Sequence, residues 1–411
     1  MKSYENELKI QNFGAITDGY DQNNGYLKFN QNTLFCGTQG TGKSAVVKLY
    51  STFVWLEKAL LRGDFKAKDL EKGKTFVNKY LTFQNIQNYR NPGTFIHFKG
   101  RSFDFIYENE AFSVHEHMKW AEYKRPQITY IPAERNLLSI LSKDAKKSKV
   151  IPSSLLFMLG DYNEACEHIK GEVDLPVNGV KFRFDKLNDD SRVFSDKFSL
   201  KISEASSGLQ SATPLFITLR YLHDKVINGM YEQKFSQEEI EIIRERILAV
   251  LQDNNIDEIT RTMLIKSLSE NKNKRLISIV EEPEQNLYPD TQEKLIYELL
   301  RMSGKEENQL IMTTHSPYII NFLTLAIKAK QVYDVLKDEK NKKRLSEIVP
   351  KDSMIDGESL TIYEIGLDGT IKLLAPYNNM PSDENMLNSV LENTNIKFSQ
   401  ILDIRDDETE E

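Results

Sequence analysis

Short apolar runs alternate with polar residues at the start of the chain, and this pattern predicts β-strands in ELKI, YLKF and TLFC, within residues 7–36. The last run leads directly into the glycine-rich segment GTQGTGKS, residues 37–44. After it, SAVVKLYSTFVWLEKALL spaces its apolar residues as one face of a helix does, so we predict a helix that begins near Ser44. The first recognisable unit is therefore a strand, a glycine-rich loop and a helix.

Further strand-like runs lie between residues 94 and 131, in TFIHF, FDFIY and ITYI. From about residue 136 to 270 the pattern is mainly helical, with one strand-like region in VKFRF and FSLKI. LISIV and LIMTT follow, and short β-branched runs of this kind fill the middle of a parallel sheet covered on both faces. Near the end, LTIYEIGLDGTIKLL predicts a hairpin that turns at Asp368-Gly369.

These elements predict an α/β fold with a mixed sheet, organised as one lobe interrupted by another. We expect a phosphate-binding lobe made of residues 1–135 and 275–411, and an inserted, mainly helical lobe made of residues 136–274.

Composition narrows the class of protein. Hydrophobic residues make up 40% and charged residues 28%, which is typical of soluble globular proteins, and the net charge of −7 argues against a uniformly basic nucleic-acid binder. Cys36 and Cys166 lie far apart, without disulfide or zinc-site spacing. The N-terminus lacks the apolar stretch of a signal peptide, and no run is long enough to span a membrane, so we expect a cytoplasmic protein.

The segment GTQGTGKS fits the phosphate-binding pattern GxxxxGKS. In this pattern backbone amides surround the phosphates, the lysine reaches the terminal phosphates, and the serine hydroxyl binds Mg²⁺. The predicted helix start adds free amides and a favourable dipole. The predicted nucleotide-binding residues are Gly37, Thr38, Gln39, Gly40, Thr41, Gly42, Lys43 and Ser44, with Ser44 also a metal ligand.

Two later apolar runs end in groups that suit hydrolysis. LISIV runs into Glu281 and Glu282; the first suits Mg²⁺ binding and the second suits a general base or water-orienting group. An exposed acidic strand end is the alternative. LIMTT runs into His315, which as a neutral imidazole could donate a hydrogen bond to a terminal phosphate; an ordinary surface histidine is the alternative there.

A second anion-binding helix start is predicted in EASSGLQSATPL, where small residues precede an apolar helical run. It has no lysine, so it makes most sense as a cap on a nucleotide held by another subunit. A plain serine N-cap is the simpler alternative. The predicted binding residues are Ser206, Ser207 and Gly208.

With these four motifs in this order, the chain resembles the ABC-type ATPases, including SMC and RecF-like members of the AAA family, and most closely the overcoming-lysogenization-defect (OLD) type. The resemblance implies that GTQGTGKS is the Walker A loop, ASSGLQ the signature, SIVEEPEQNLYP the Walker B motif with the D-loop, and TTHSP the switch histidine. It implies an ABC-ATPase head, ATP and Mg²⁺ as ligands, catalytic roles for Glu282 and His315, and a homodimer or a larger homo-oligomer built from dimers.

Two features depart from the ABC pattern. Glu281 stands where many ABC ATPases have the shorter Asp, which bears on the metal geometry and the turnover rate. No glutamine is clearly the Q-loop residue; the candidates are Gln84, Gln87, Gln127 and the PAER cluster, of which we favour Glu134 and Arg135.

OLD nucleases carry a Toprim domain after the ATPase, and the segment 316–411 is too short for that domain plus the hairpin. The chain therefore resembles the stand-alone ATPase subunits of two-gene antiphage systems such as Septu and PARIS, which implies a separate nuclease effector of HNH or Toprim type. A RecF-like repair ATPase and a nucleotide-dependent scaffold are the alternatives. DNA contact would use Lys143, Lys146, Lys147 and Lys149, although a solvated loop is the simpler interpretation of that run.

Overall fold

The computed structural model of the chain describes residues 6–117, 123–141, 151–233, 237–252, 257–258, 261–262, 272–304 and 307–409. The lysine run at 143–149 lies outside the described residues. The glycine-rich loop, both glutamates, the histidine and the second helix start all lie inside them.

A seven-stranded mixed sheet forms the centre of the molecule, in the order β2-β16-β15-β4-β14-β13-β8. The five strands from β15 to β8 are parallel, β16 runs antiparallel to β15, and β2 pairs with β16. The strands are β2 (Gly19–Tyr20), β4 (Asn32–Cys36), β8 (Pro126–Ile131), β13 (Arg275–Glu281), β14 (Gln309–Thr314), β15 (Leu360–Ile365) and β16 (Thr370–Leu373). The expected α/β fold with a mixed sheet is confirmed.

Nine helices are described in the chain as delimited above. They are α1 (Lys43–Arg62), α2 (Ala67–Glu71), α3 (Ser153–His168), α4 (Ser207–Val226), α5 (Gln237–Gln252), α6 (Pro289–Ser303), α7 (Pro317–Val335), α8 (Glu339–Ile348) and α9 (Met386–Thr409). Among the described helices, none combines the length and the apolar character needed to cross a membrane.

A separate hydrophobic core covers each face of the central sheet. Successive side chains of a strand point to opposite faces, so neighbours in sequence belong to different cores. Phe35 of β4 and Ile279 of β13 belong to a core that also contains the buried face of α1. Leu34 and Val280, their neighbours in sequence, belong to a second core with α3, α4, α6 and α7. The helix after the glycine-rich loop and the helix that begins at Ser207 therefore pack on opposite faces of the sheet.

Two antiparallel sheets complete the structure. The first has the order β3-β1-β5-β6-β7 and contributes to the core around α1; its strands are β1 (Asn6–Phe13), β3 (Leu27–Phe29), β5 (Arg90–Lys99), β6 (Phe103–Glu108) and β7 (Ala111–Glu116). The second has the order β12-β11-β10-β9, with β9 (Val173–Asp174), β10 (Lys181–Asp185), β11 (Asp190–Ser195) and β12 (Phe198–Lys201). The segment expected to be mainly helical thus also contains a four-stranded sheet.

The predicted hairpin is formed by β15 and β16, and β15 lies directly beside β4. Its turn has Gly369 at φ 80°, a left-handed conformation that glycine adopts without strain. This arrangement brings the end of the hairpin against the glycine-rich loop.

Candidate functional site

The glycine-rich loop connects β4 to α1 at the carboxyl edge of the parallel strands, where ligands bind in open α/β sheets. Gly37 has φ 149°, and a Cβ atom there would lie 2.5 Å from the backbone oxygen of Ile365 in the hairpin. Gly42 has φ 106°, and a Cβ atom there would lie 2.9 Å from the Ile16 side chain. The loop therefore folds this tightly only because glycine stands at both positions.

Lys43 begins α1, and its ammonium group turns back over the loop. Nζ donates hydrogen bonds to the backbone oxygens of Gly37, at 2.9 Å, and Thr38, at 2.6 Å. The side chain is buried, and burial lowers the pKa of Lys43 to about 8. This partly desolvated ammonium group, held against the backbone carbonyl groups of the loop, is well placed to bind a phosphate chain.

Glu281 is the last residue of β13, which β14 separates from β4, and it is 3% exposed. Its Oε2 accepts a long hydrogen bond, 3.4 Å, from the amide of Ala133. Within the described part of the chain, its Oε1 has no partner with regular hydrogen-bond geometry. The hydroxyl groups of Tyr130 and Ser44 nevertheless lie near enough to the carboxylate to lower its pKa. Burial is the largest cause of the raised pKa of Glu281.

Glu282 has a backbone φ of 44°, which is unusual for a residue with a side chain. Its amide donates to the backbone oxygen of Thr313 at 3.0 Å, so the turn after β13 is tied to β14. Its Oε1 lies 3.1 Å from Nε2 of His315, and this hydrogen bond is the main cause of the lowered pKa of Glu282. Glu282 is therefore ionised at neutral pH.

His315 links Glu282 to Lys43. Its Nδ1 lies 3.3 Å from Nζ of Lys43, and because an ammonium group can only donate, Nδ1 accepts this bond. We assign the proton of the neutral ring to Nε2, which then donates to Glu282. A continuous hydrogen-bonded line thus runs from Lys43 through His315 to Glu282.

Glu284 holds the backbone of the segment that carries His315. Its Oε1 accepts from the hydroxyl of Thr314 at 2.7 Å and from the amide of His315 at 2.8 Å. Burial raises the pKa of Glu284. This supporting role was not predicted from the sequence, which marks Glu284 only as a third acidic residue after β13.

The predicted second anion site lies at the start of α4. Ser206 is the N-cap residue, and both Ser206 and Ser207 are exposed. Gly208 packs closely on the segment after β13, since a Cβ atom there would lie 2.7 Å from the backbone oxygen of Asn286. Among the described residues, no hydrogen bond joins these three residues to Lys43.

The Q-loop candidates fall at different places. Gln127 lies near the amino end of β8, where it accepts a hydrogen bond from Asn273, so it is at the wrong edge of the sheet for a contact with the nucleotide. Glu134 and Arg135 follow β8 at the correct edge, in a 3₁₀ turn that spans Ala133–Ser139. Arg135 is fully buried and points at the backbone of Glu281 and Glu282, not into the loop.

The residues present fit the two ligands that the sequence implies. The glycine-rich loop provides a cradle that Cβ atoms would fill, as Gly37 and Gly42 show, and Lys43 supplies the cation that phosphates need. The buried Oε1 of Glu281, close to Ser44, provides the unsatisfied oxygen that a hard divalent cation prefers. Gly37–Ser44 would hold ATP, and Ser44 and Glu281 would hold Mg²⁺.

Comparison with protein families finds a similarity to ATPases in part of the chain. Residues 133–320 match the model of the AAA ATPase domain. The match spans 188 of the 411 residues. It begins at the turn that carries Arg135 and contains the start of α4, both glutamates and His315, while the glycine-rich loop precedes it. No curated protein matches the sequence.

The solved structures to which the chain is similar in fold include SMC head domains. An Smc head bound to the C-winged helix domain of ScpA has a TM-score of 0.36 at 11% identity, and the alignment covers 90% of this chain and 97% of that one. The SMC head domain of Thermotoga maritima has a TM-score of 0.35 at 11% identity, with 77% and 91% covered. The Pyrococcus furiosus Smc head, bound to the C-terminal domain of ScpA, has a TM-score of 0.38 at 9% identity, with 97% and 99% covered.

Proposed function

We propose that this chain is a Mg²⁺-dependent ATP hydrolase that serves as the regulatory subunit of a bacterial antiphage complex and controls a separate nuclease. The single observation that carries the ATPase part is the line Lys43, His315 and Glu282, which lies beside the buried Oε1 of Glu281. The match of residues 133–320 to an AAA ATPase domain supports it.

Each side chain has a distinct task in this proposal. Lys43 exchanges its bonds to the carbonyl groups of Gly37 and Thr38 for phosphate oxygens when ATP binds. Glu282, ionised at neutral pH, orients the attacking water and accepts its proton. His315 donates from Nε2 and can turn from Glu282 to a terminal phosphate. Bound Mg²⁺ would neutralise charge on the phosphates.

A dimer completes the site. The hydroxyl groups of Ser206 and Ser207 are exposed at a helix start, on the face of the sheet opposite α1, so they are available to a nucleotide held by a second copy. Binding at this shared site makes the geometry of the dimer depend on the nucleotide state.

The defence role rests on the order of the four motifs, which resembles that of the stand-alone ATPase subunits of Septu and PARIS. In this role the ATP-bound dimer holds or positions a nuclease of HNH or Toprim type, and infection releases the nuclease through a change in nucleotide state. Hydrolysis then acts as a timer on the assembly.

The test is to express the chain with the nuclease encoded by its neighbouring gene in a sensitive host, and to challenge the cells with a panel of phages. Lys43→Ala and Glu282→Gln should both abolish protection, while Glu347→Gln, an exposed position on α8, should retain it. Full protection by the Lys43 variant, or nuclease activity from this chain alone, would contradict the proposed division of labour.

A further inference from the structure

The guanidinium group of Arg135 is completely buried, and its recorded hydrogen bonds all go to backbone carbonyl groups. Its two terminal nitrogens lie 2.7 Å from the backbone oxygens of Glu281 and Glu282. Nε lies 3.3 Å from the backbone oxygen of Ser211 in α4, and one terminal nitrogen also lies 3.3 Å from that of Pro132. One side chain therefore joins the ends of β8 and β13 to α4.

The burial of a charged arginine side chain in a core costs desolvation free energy. Burial lowers the pKa of Arg135 to about 10, so the group is still a cation at neutral pH. Nearby carboxylates, first Glu284 and then Glu282, offset part of the effect of burial, but none of the described acidic side chains forms an ion pair with it. Buried charges are normally paired. A planar fork with five donors, however, can satisfy several carbonyl groups at fixed angles, which an apolar residue or a lysine cannot do. The geometry therefore points to a demand for directed hydrogen bonds.

The group that Arg135 holds is the turn that aims Glu282. The left-handed φ of 44° at Glu282 is disfavoured for a residue with a Cβ atom, so the surroundings must impose it. Its amide is bonded to Thr313 on one side, and its carbonyl group to Arg135 on the other. Both ends of this residue are thus fixed, and the carboxylate is directed to His315.

The other end of the contact lies in the first half of α4. Pro214 stands inside this helix and has no amide hydrogen, so the carbonyl group of Gln210, four residues earlier, lacks its helical donor. The next residue, Ser211, accepts the bond from Arg135 through its own carbonyl group. Because Gly208 also packs on the backbone at Asn286, α4 is linked to the segment after β13 in two ways, directly through Gly208 and indirectly through Arg135.

We infer that Arg135 is a positioning residue that couples the position of α4 to the orientation of Glu282. When Ser206–Gly208 of one chain cap the nucleotide of a second copy, Arg135 then sets the orientation of Glu282 in the chain that provides the cap. This inference deepens the proposed function and rests on it. It explains why the buried guanidinium group of Arg135 lies between the turn that carries Glu282 and α4, which begins at the surface proposed to meet the second copy.

The first test compares Arg135→Met and Arg135→Lys with Arg275→Met. Arg275 is a matched control, because it is equally buried and lies at the opposite end of the same strand, β13. Arg135→Met should lower kcat by about 100-fold with little change in KM for ATP, because small misplacements of reacting groups have effects of that size. Arg135→Lys keeps the charge but not the planar fork, so it should recover little of the loss. Arg275→Met should keep wild-type kcat per folded molecule, even if it lowers the melting temperature.

The second test measures amide hydrogen exchange without nucleotide, so it does not depend on turnover. Arg135→Met should accelerate exchange in residues 281–287 and in the first two turns of α4, and Arg275→Met should not. Unchanged exchange in the Arg135 variant, or equal losses of kcat in both variants, would overturn the inference. If the wild-type chain hydrolyses no ATP, the proposed function fails, and the exchange experiment still decides whether Arg135 couples the two segments.

A double-mutant cycle tests whether the two residues are coupled, with the milder change Ser206→Ala so that turnover stays measurable. If Arg135 transmits the seating of α4, then Ser206→Ala and Arg135→Met act on one process, and the double variant should be no slower than the slower single variant. Losses that multiply would show that the two residues act independently, and would contradict the coupling.

Discussion

Lys43→Met should make the nucleotide-free protein more stable at pH 7 while it abolishes ATP binding. Lys43 is 5% exposed, and burial lowers the pKa of its ammonium group from 10.5 to about 8, although Nζ donates to the backbone oxygens of Gly37 and Thr38. The cost of burying the charge therefore exceeds what these two bonds return. Methionine keeps much of the length of the side chain without its charge, so it removes that cost.

The pKa values set both the size and the pH range of the effect. The fall from 10.5 to about 8 corresponds to about 3 kcal/mol, because one pKa unit is about 1.4 kcal/mol. The neighbouring His315 side chain is 25% exposed, so solvent screens this site, and we expect a gain of about 1–2 kcal/mol, or a few degrees in Tm. Below pH 8 the ammonium group is charged in both states and the cost is fully present.

Between about pH 8 and 10.5 the unfolded chain still binds the Lys43 proton while the folded chain has released it. The free energy of unfolding of the wild type should therefore rise with pH across this range relative to that of the variant. The two proteins should differ most at pH 7 and least near pH 10.5. Comparison of the two proteins cancels the other titrating groups, which are common to both.

The assay is urea unfolding without nucleotide at pH 7 and pH 10, together with calorimetric titration of ATP. Lys68→Met, at an exposed position on α2, is the control for replacement of a lysine outside the loop, and we expect little change in its stability or ATP binding. A Lys43 variant that is less stable than the wild type at pH 7, or a stability difference that does not shrink with pH, would refute the argument from burial. Wild-type affinity for ATP in the variant would refute the role of Lys43 in binding.

Three further predictions concern the surrounding residues. Ser206→Arg should lose turnover yet keep calorimetric ATP binding by the monomer, because Ser206 is exposed and makes no recorded bond to Lys43 in the described structure; weakened binding would contradict this. His315→Ala should raise the pKa of Glu282 toward its usual range, since their hydrogen bond is the main cause of its lowering. The acid limb of the kcat–pH profile should then move to higher pH, and an unmoved limb would count against the contact. Glu281→Gln should raise the Mg²⁺ concentration for half-maximal turnover by about 10- to 100-fold, and unchanged Mg²⁺ dependence would exclude Glu281 as a ligand.

Local patterns of apolar and polar residues were sufficient to predict the central strands and the glycine-rich loop. LISIV and LIMTT are short, apolar and β-branched, and they form β13 and β14 in the middle of the sheet, as such runs do when both faces are covered. The sequence does not distinguish the two glutamates that follow LISIV: the strand includes Glu281 and ends there, because Glu282 adopts a left-handed conformation that no strand pattern indicates.

Long-range contacts could not be predicted in the same way. That Gly37 must be glycine because the hairpin oxygen of Ile365 lies against it depends on residues more than three hundred positions apart in sequence. Arg135 is a similar case: the PAER cluster marks a polar strand end, but only the fold shows that its arginine bonds to Glu281, Glu282 and Ser211. A single sequence gives charge and spacing, and it does not give the partners of a buried charge.

The structure brings Lys43, Glu281, Glu282 and His315 to one edge of the sheet, while their chemical roles stay predictions until turnover is measured. The sequence favours this edge because each residue follows an apolar strand, and parallel strands end together. The supporting role of Glu284 had no such signal, because a third acidic residue after a strand is as easily a solvated one.

Release of phosphate from ATP by the purified chain, with and without Mg²⁺, tests the central claim most directly, with Glu282→Gln and Glu347→Gln measured in parallel. Our account predicts Mg²⁺-dependent turnover by the wild type and by the exposed control variant. It also predicts that the Glu282 variant binds ATP with unchanged affinity but releases phosphate at least about 100-fold more slowly, since it lacks the ionised group that orients water. Wild-type turnover by Glu282→Gln, or no Mg²⁺-dependent turnover by the wild type, would contradict the account.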